Sequence, residues 1–183
     1  MRGIHHMLIH LPLGLWLLAT GMILVRAFST GKLARIAEGA LPPVLALSLL
    51  GGAVSIMSGF FVWPLEASLS SPLMRKHILM SVWSMGIWGV ITALILRGGS
   101  AVWEGFGSRI MAVLALIGSL LLAVTGTTGG KIAGIPSLLY APLERMEINI
   151  YGTFYLPWFS IAIMVAIGIV MALIGIMGHR FRT

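Results

Sequence analysis

The chain has 183 residues, of which 58% are hydrophobic and 9% are charged, and its mean hydropathy is +1.03. Soluble domains carry about 25% charged residues, so the composition indicates a protein embedded in lipid. The absence of cysteine excludes disulfides, thiolate zinc sites, iron–sulfur ligation and covalent c-type haem attachment by this chain. The net charge of +7 comes from basic residues lying singly or in pairs between apolar stretches. That pattern is typical of anchors to lipid headgroups, not of nucleic-acid binding.

Five apolar stretches approach the roughly 20 residues needed to cross a bilayer. They predict an all-α integral membrane protein, a bundle of five transmembrane helices that forms a single membrane domain over residues 1–183. The predicted spans are residues 4–28, 41–63, 73–96, 110–127 and 156–177. The first span begins like a signal peptide but ends in Val25-Arg26-Ala27-Phe28, which is not a small-residue cleavage site. We therefore expect it to be a retained helix.

Prolines, glycines and a capping residue mark the predicted helix ends. Pro42-Pro43 opens the second span, and Ser71-Pro72 supplies the N-cap and the first helical residue of the third. Glycines end the third and fourth spans, at Gly98-Gly99, at Gly126 and at Gly129-Gly130.

Two features concern the first two helices. Pro12 allows either a helix that begins near His10 or a longer helix with a kink at the proline. Gly51, Ser55 and Gly59 form a stripe of small residues on the second span, which favours close packing against another helix.

Lysines and arginines in the connections set the predicted orientation. Seven lie on one side of the bundle: Arg26, Lys32, Arg35, Arg97, Arg109, Arg180 and Arg182. Five lie on the other side: Arg2, Arg75, Lys76, Lys131 and Arg145. The excess predicts an outer N-terminus and an inner C-terminus. The longest connection, residues 128–155, then lies at the outer face, where it follows the membrane surface or docks a partner.

Four of the five histidines share that outer face. His5, His6 and His10 begin the first span, and His77 begins the third, which starts on the same side of the membrane. Ionisable groups at membrane depth are costly and are usually functional, and histidine is the commonest metal ligand. The alternative is that these side chains are solvated anchors at the headgroups.

Helix geometry limits what the histidines can bind together. His6 and His10 are i,i+4 neighbours and suit a small ion such as zinc or copper. One helix cannot reach both faces of a haem, so a haem with two histidine ligands needs His77 opposite His10, His5 or His6. That arrangement requires the first and third spans to pack side by side. Arg75, Lys76 and Lys131 are candidates to pair with haem propionates.

Short motifs resemble a bacterial membrane family, domain of unknown function 2231. The segment from His5 to Pro12, HHMLIHLP, resembles the family's opening His-Pro-x-x-Val-His-Phe-Pro, with His6 in place of proline. The segment from Gly59 to Trp63, GFFVW, resembles its Gly-x-x-Asp-Trp, with Val62 in place of the acidic residue. His77 matches the histidine at the head of the third helix, and TGTTGGK from Thr125 resembles the family's Thr-Gly-x-x-Gly-Gly turn. The resemblance covers residues 5–135.

The resemblance implies a four-helix membrane domain with a role in electron transfer, because family members occur near or fused to Rieske and c-type cytochrome modules. It singles out His5, His10 and His77 as candidate ligands of a b-type haem. We therefore predict a haem-binding subunit of a respiratory complex in the bacterial inner membrane, with a periplasmic histidine-rich face and a cytoplasmic C-terminus. Its partners would be the lipid bilayer, other redox subunits such as a c-type cytochrome or a Rieske protein, and quinone.

Two alternatives stay open. One is a cofactor-free structural subunit of a membrane complex, and the other is a copper- or zinc-binding membrane protein that uses His6, His10 and nearby methionines. The sequence contains no nucleophile–base constellation, which favours an electron-transfer subunit over a catalytic one.

Overall fold

A computed structural model describes residues 2–135, 137, 139–152, 163 and 166. Four long helices dominate: α1 (Arg2–Phe28), α2 (Lys32–Val62), α4 (Pro72–Gly98) and α5 (Gly107–Ile132). Two short helices, α3 (Leu65–Ser70) and α6 (Tyr140–Arg145), and a 3-10 turn (Gly99–Trp103) lie in the connections. No strand occurs among the described residues.

The chain divides into two compact units, Met1–Tyr151 and Gly152–Thr183. The first unit contains all four long helices and the four histidines of the predicted outer face. The predicted fifth span, 156–177, belongs to the second unit and lies almost entirely outside the described residues.

The four long helices have the length and composition of membrane spans, over Gly3–Phe28, Lys32–Val62, Pro72–Trp103 and Gly107–Ile132. Their interior contains small and hydroxyl-bearing residues, such as Ala115, Ser48 and Thr128, beside large apolar ones, such as Trp88 and Leu41, and all five are fully buried. Other large apolar residues face outward: Phe61 is 75% exposed and Leu120 is 65% exposed. This distribution is expected when lipid is the solvent, because small residues let helices approach while large ones meet acyl chains. The all-helical membrane fold is confirmed for four spans.

Helix α1 runs without interruption through Pro12. Proline has no N–H, so the carbonyl of Leu8, one turn earlier, loses its helical partner. The hydroxyl of Ser55 on α2 lies 3.2 Å from that carbonyl oxygen, and 2.8 Å from the carbonyl of Gly51. A hydroxyl from a neighbouring helix can satisfy a carbonyl freed by proline. The longer of the two predicted helices therefore forms, and His5 lies on it.

Helix α2 begins at Lys32, well before the predicted start at residue 41, so the prediction that Pro42-Pro43 opens it is wrong. The added turns are charged, which hid them from a search for apolar residues. Their Glu38 carboxylate accepts a hydrogen bond from Arg26 Nε on α1 at 2.6 Å, and the Arg26 guanidinium lies 5.4 Å from the ring centre of Trp103. These contacts compensate for charge at the end of the bundle opposite the histidines.

The predicted start and end of the third span are confirmed, but the end of the fourth is wrong. Ser71 Oγ accepts a hydrogen bond from the Met74 N–H at the head of α4, and Gly99, with φ +51°, follows its last residue. Helix α5, in contrast, continues through its glycines to Ile132. Gly134 ends it with φ +75°. The N–H groups of Gly134 and Ile135 then donate to Lys131 and Gly130 carbonyls, which is a Schellman motif.

The long helices form a ring in which α1 packs against α2 and α5, and α4 packs against α5 and α2. Helices α1 and α4 are therefore diagonal partners, and the expectation that they pack side by side is wrong. They meet through Trp16 and Trp88, whose rings stack with centroids 6.1 Å apart and an interplanar angle of 12°. This stack fills the centre of the bundle.

The two hairpins, α1–α2 and α4–α5, repeat one pattern. The same four residue types recur with the same spacing along α1 and α4. The matching pairs are His5 and His77, Gly14 and Gly86, Trp16 and Trp88, and Thr20 and Thr92. On α2 and α5 the matching residues are Ala53 and Ala123, Val54 and Val124, Ser55 and Thr125, Ser58 and Thr128, Gly59 and Gly129. Both hairpins begin at the histidine-rich end, so they run in the same direction across the bundle.

Candidate cofactor site at the histidine-rich end

His5 is held in one tautomer by Ser58. Its Nδ1 lies 2.7 Å from Ser58 Oγ, and that hydroxyl donates its single hydrogen to the Ser55 carbonyl, also at 2.7 Å. Ser58 Oγ can therefore only accept from the ring, so the proton of neutral His5 is on Nδ1. The Nε2 atom is left with a free lone pair. The ring of Trp63 contacts His5 edge to face, with centroids 5.6 Å apart.

His77 is held in the same tautomer from the other hairpin. Its Nδ1 lies 3.0 Å from the Thr125 carbonyl oxygen and 3.2 Å from Thr128 Oγ1. A carbonyl only accepts, and the Thr128 hydroxyl already donates to the Val124 carbonyl at 2.8 Å. The ring must therefore donate from Nδ1, and its Nε2 also carries a free lone pair.

Each histidine ring rests against a glycine of the second helix in its hairpin. A Cβ on Gly129 would lie 2.9 Å from His77 Cε1, and a Cβ on Gly59 would lie 3.4 Å from His5 Cε1. The first distance is too short for any side chain, so Gly129 is required where His77 sits. Gly129, one of the glycines predicted to end the helix, thus allows the close approach of His77 instead.

The other two N-terminal histidines do not join this pair. His6 contacts the His5 ring edge to face at 6.0 Å and lines a cleft with Gly3, Trp63, Ile132 and Ala133. The cleft has a volume of about 210 Å³. His10 is exposed on α1, and the five-residue interval turns it by roughly 140° from His5 at 3.6 residues per turn.

The basic residues predicted to pair with haem propionates lie at the ends of α4 and α5, close to the predicted outer connection. Lys76 Nζ donates to the Ile150 carbonyl, and Lys131 Nζ lies 5.1 Å from the ring centre of Tyr151. Arg75 is half-buried at the start of α4. Residues 139–151 of the predicted outer connection therefore lie against the ends of α4 and α5. Tyr140 in this segment packs on Tyr151 at 4.4 Å and donates to Glu144 Oε1 at 2.9 Å, which raises the pKa of the Tyr140 phenol.

The two oriented imidazoles are fewer ligands than a closed zinc site needs. Within the described part of the chain, no three or more His, Asp or Glu side chains group around a possible ion. A structural zinc site needs four protein ligands and a catalytic one three, whereas haem iron takes only axial ligands from the protein. The cleft of about 210 Å³ is smaller than the roughly 300–1,000 Å³ of typical ligand pockets, so its volume suits a small ion.

The residues that orient the histidines are not identifiable from the sequence alone. There, Ser58, Thr125, Thr128 and Gly129 have the appearance of helix-packing residues and of a turn. The signal that identifies them is the repeat of Ala-Val-Ser/Thr-x-x-Ser/Thr-Gly on α2 and α5. The repeat matters only once His5 and His77 are seen to contact equivalent positions of it.

Comparison of this chain with protein-family models, curated proteins and solved structures finds no match.

Proposed function

We propose that this protein is a membrane electron-transfer subunit in which the Nε2 atoms of His5 and His77 would hold a b-type haem. The observation that carries the proposal is that Nδ1 of each ring lies within hydrogen-bond distance of an oxygen that can only accept, Ser58 Oγ or the Thr125 carbonyl, which leaves Nε2 free to bind a metal. When bound, the haem would supply one-electron redox chemistry, while the protein supplies the ligands, the apolar surroundings and the orientation.

Hydrogen bonds at Nδ1 are what a histidine ligand needs from its surroundings. A partner on the second ring nitrogen fixes the tautomer, orients the ring and makes the ligating nitrogen more basic. Ser58 serves this purpose for His5, and Thr125 with Thr128 serves it for His77. A histidine that only anchored a helix to headgroups would not need a fixed ring.

The site lies at the end of the bundle where α1 and α4 begin, which the distribution of basic residues assigns to the periplasmic side. Electrons would pass between a periplasmic carrier, such as a c-type cytochrome or a Rieske protein, and a membrane partner or quinone. The resemblance to domain of unknown function 2231 supports this role. Arg75 and Lys131, at the same end, would face the haem propionates if the connecting segment moves aside.

A second candidate is a small copper or zinc ion, which the cleft beside His6 favours by its volume. His6, which lines the cleft, and His5, whose ring centre lies 6.0 Å from that of His6, would then supply the ligands. Metal analysis separates the two candidates, because copper or zinc would be present without a porphyrin.

The test is the metal and pigment content of the full chain purified in detergent. The proposal predicts iron and extractable non-covalent haem, both retained by the control His10→Ala, because His10 is exposed. Stoichiometric copper or zinc without haem would favour the second candidate. A colourless preparation without metal would contradict both and favour a structural subunit.

A further inference from the structure

The two hairpins are related by a rotation about an axis that runs along the bundle. Helices α1 and α4 both begin at the histidine-rich end, so the repeats are parallel, as in transporter halves related by an axis along the membrane normal. The packing of the helices is consistent with this rotation, because α1 packs on α5 in the same way as α4 packs on α2. Thr20 and Thr92 also make equivalent hydrogen bonds, to the carbonyls of Trp16 and Trp88 at 2.8 and 2.7 Å.

The Trp16–Trp88 stack marks where this axis lies. Two equivalent residues contact each other only close to the two-fold axis that relates them. Both tryptophans are buried, and their rings are nearly parallel, at 12°. His5 and His77 lie the same interval before these tryptophans on diagonal helices, so they lie on opposite sides of the same axis.

The repeat also distinguishes His5 from the two nearby histidines, His6 and His10. The position equivalent to His5 is His77, but the positions equivalent to His6 and His10 are Ile78 and Val82. Only His5 and His77 share the contact to a hydroxyl-glycine pair, Ser58-Gly59 or Thr128-Gly129. Each repeat therefore offers one oriented Nε2 atom, which is half of a bis-histidine centre.

From these observations we infer that one cofactor lies on the pseudo-two-fold axis and is shared by the two repeats, with His5 and His77 as equivalent ligands. The inference rests on the proposed function and goes beyond it in the number of centres, their position on the axis and the equivalence of the two ligands. The alternative is a separate centre in each repeat, using His5 with His6 or His10 in the first and His77 with an outside ligand in the second.

The test combines the haem-to-chain ratio of the purified full-length protein with single substitutions. We expect one haem per chain. His5→Ala and His77→Ala should each keep haem but change its absorption from a six-coordinate to a five-coordinate type, and to a similar extent. Added imidazole should restore the wild-type spectrum in both, which separates a lost ligand from misfolding. His10→Ala is the matched control and should leave the spectrum unchanged, because His10 is exposed on α1.

Other outcomes would overturn the inference. Two haems per chain, loss of half the haem in each single variant, or a spectral change in His10→Ala equal to that in His5→Ala would each contradict a shared centre while leaving haem binding itself intact. A chain without haem or metal would overturn the proposed function and the inference together.

Discussion

The indole rings of Trp16 and Trp88 stack across the centre of the bundle, with centroids 6.1 Å apart, although their helices are diagonal and not adjacent. The contact joins equivalent positions of the two hairpins. It links the two diagonal helices that also carry the candidate ligands His5 and His77.

Removal of one ring from this stack should destabilise the bundle. Trp88 is fully buried, so Trp88→Ala leaves a cavity, and we expect a loss of about 3–5 kcal/mol in the free energy of unfolding. Thermal unfolding in detergent measures the change. Trp83→Ala is the control, because Trp83 on the same helix is 38% exposed and should shift the midpoint little. Equal shifts in the two variants would contradict a central role for the stack.

An added methyl group at Gly129 should displace His77. The new Cβ would lie 2.9 Å from His77 Cε1, whereas a Cβ on Gly126 meets nothing within 4 Å. Gly129→Ala should therefore alter the cofactor spectrum and weaken binding. Gly126→Ala should leave the spectrum unchanged and stabilise α5 by up to about 1 kcal/mol, because alanine is the better helix former. If both variants keep the wild-type spectrum, His77 does not sit where the structure places it.

Removal of the Ser58 hydroxyl should release the His5 ring. Substitution of a group that hydrogen-bonds a metal-bound histidine typically costs about 10–100-fold in metal affinity, and we expect a loss of that size for Ser58→Ala. Titration of the cofactor into the cofactor-depleted protein measures it. Ser70→Ala provides the comparison, since Ser70 is exposed and contacts only the Ala67 carbonyl through its hydroxyl. Unchanged affinity in Ser58→Ala would argue against His5 as a ligand.

The orientation can be tested by single cysteines, because the chain has none of its own. Ser70 and Ser29 are exposed in connections at opposite ends of the bundle. We expect a membrane-impermeant thiol reagent to label Ser70→Cys, but not Ser29→Cys, in spheroplasts, and to label both after lysis. The reverse pattern would place the histidine-rich end in the cytoplasm.

The Tyr140 phenol should titrate above its ordinary pKa. Its hydrogen bond to the Glu144 carboxylate favours the protonated form and raises the pKa. The stabilisation from this contact is present below the ordinary pKa of about 10 and is lost as the pH rises through the raised pKa of the folded state. Absorbance titration of tyrosinate should show a component that disappears in Tyr140→Phe and moves to lower pH in Glu144→Gln. A component unmoved in Glu144→Gln would exclude the contact.

Local signals in the sequence predict some features correctly. The presence of four long apolar helices, the Ser71 cap and the Gly99 stop depend on nearby residues, and each is confirmed. The predicted start of the second span and the predicted end of the fourth are wrong. The continuation of α1 through Pro12 depends instead on the Ser55 hydroxyl of another helix, and no pattern within the first span contains that information.

The candidate cofactor site could likewise be predicted from local sequence signals only in part. The number of spans is enough to place His5 and His77 at one end. It does not identify their partners, because the diagonal arrangement of α1 and α4 is a property of the whole bundle. The glycines of α5 resemble a stop, since glycine is common at helix ends. The close contact between Gly129 and His77 becomes apparent only when the neighbouring helix α4 is in place.

If His5 and His77 together hold one redox cofactor, the most direct test is a reduced-minus-oxidised absorption spectrum. It compares the purified wild-type chain with the double variant His5→Ala/His77→Ala. We predict Soret and alpha bands of a b-type haem in the wild type and their loss in the double variant, with the helical circular dichroism unchanged. Bands of wild-type intensity and position in the double variant would contradict a centre held by these two histidines.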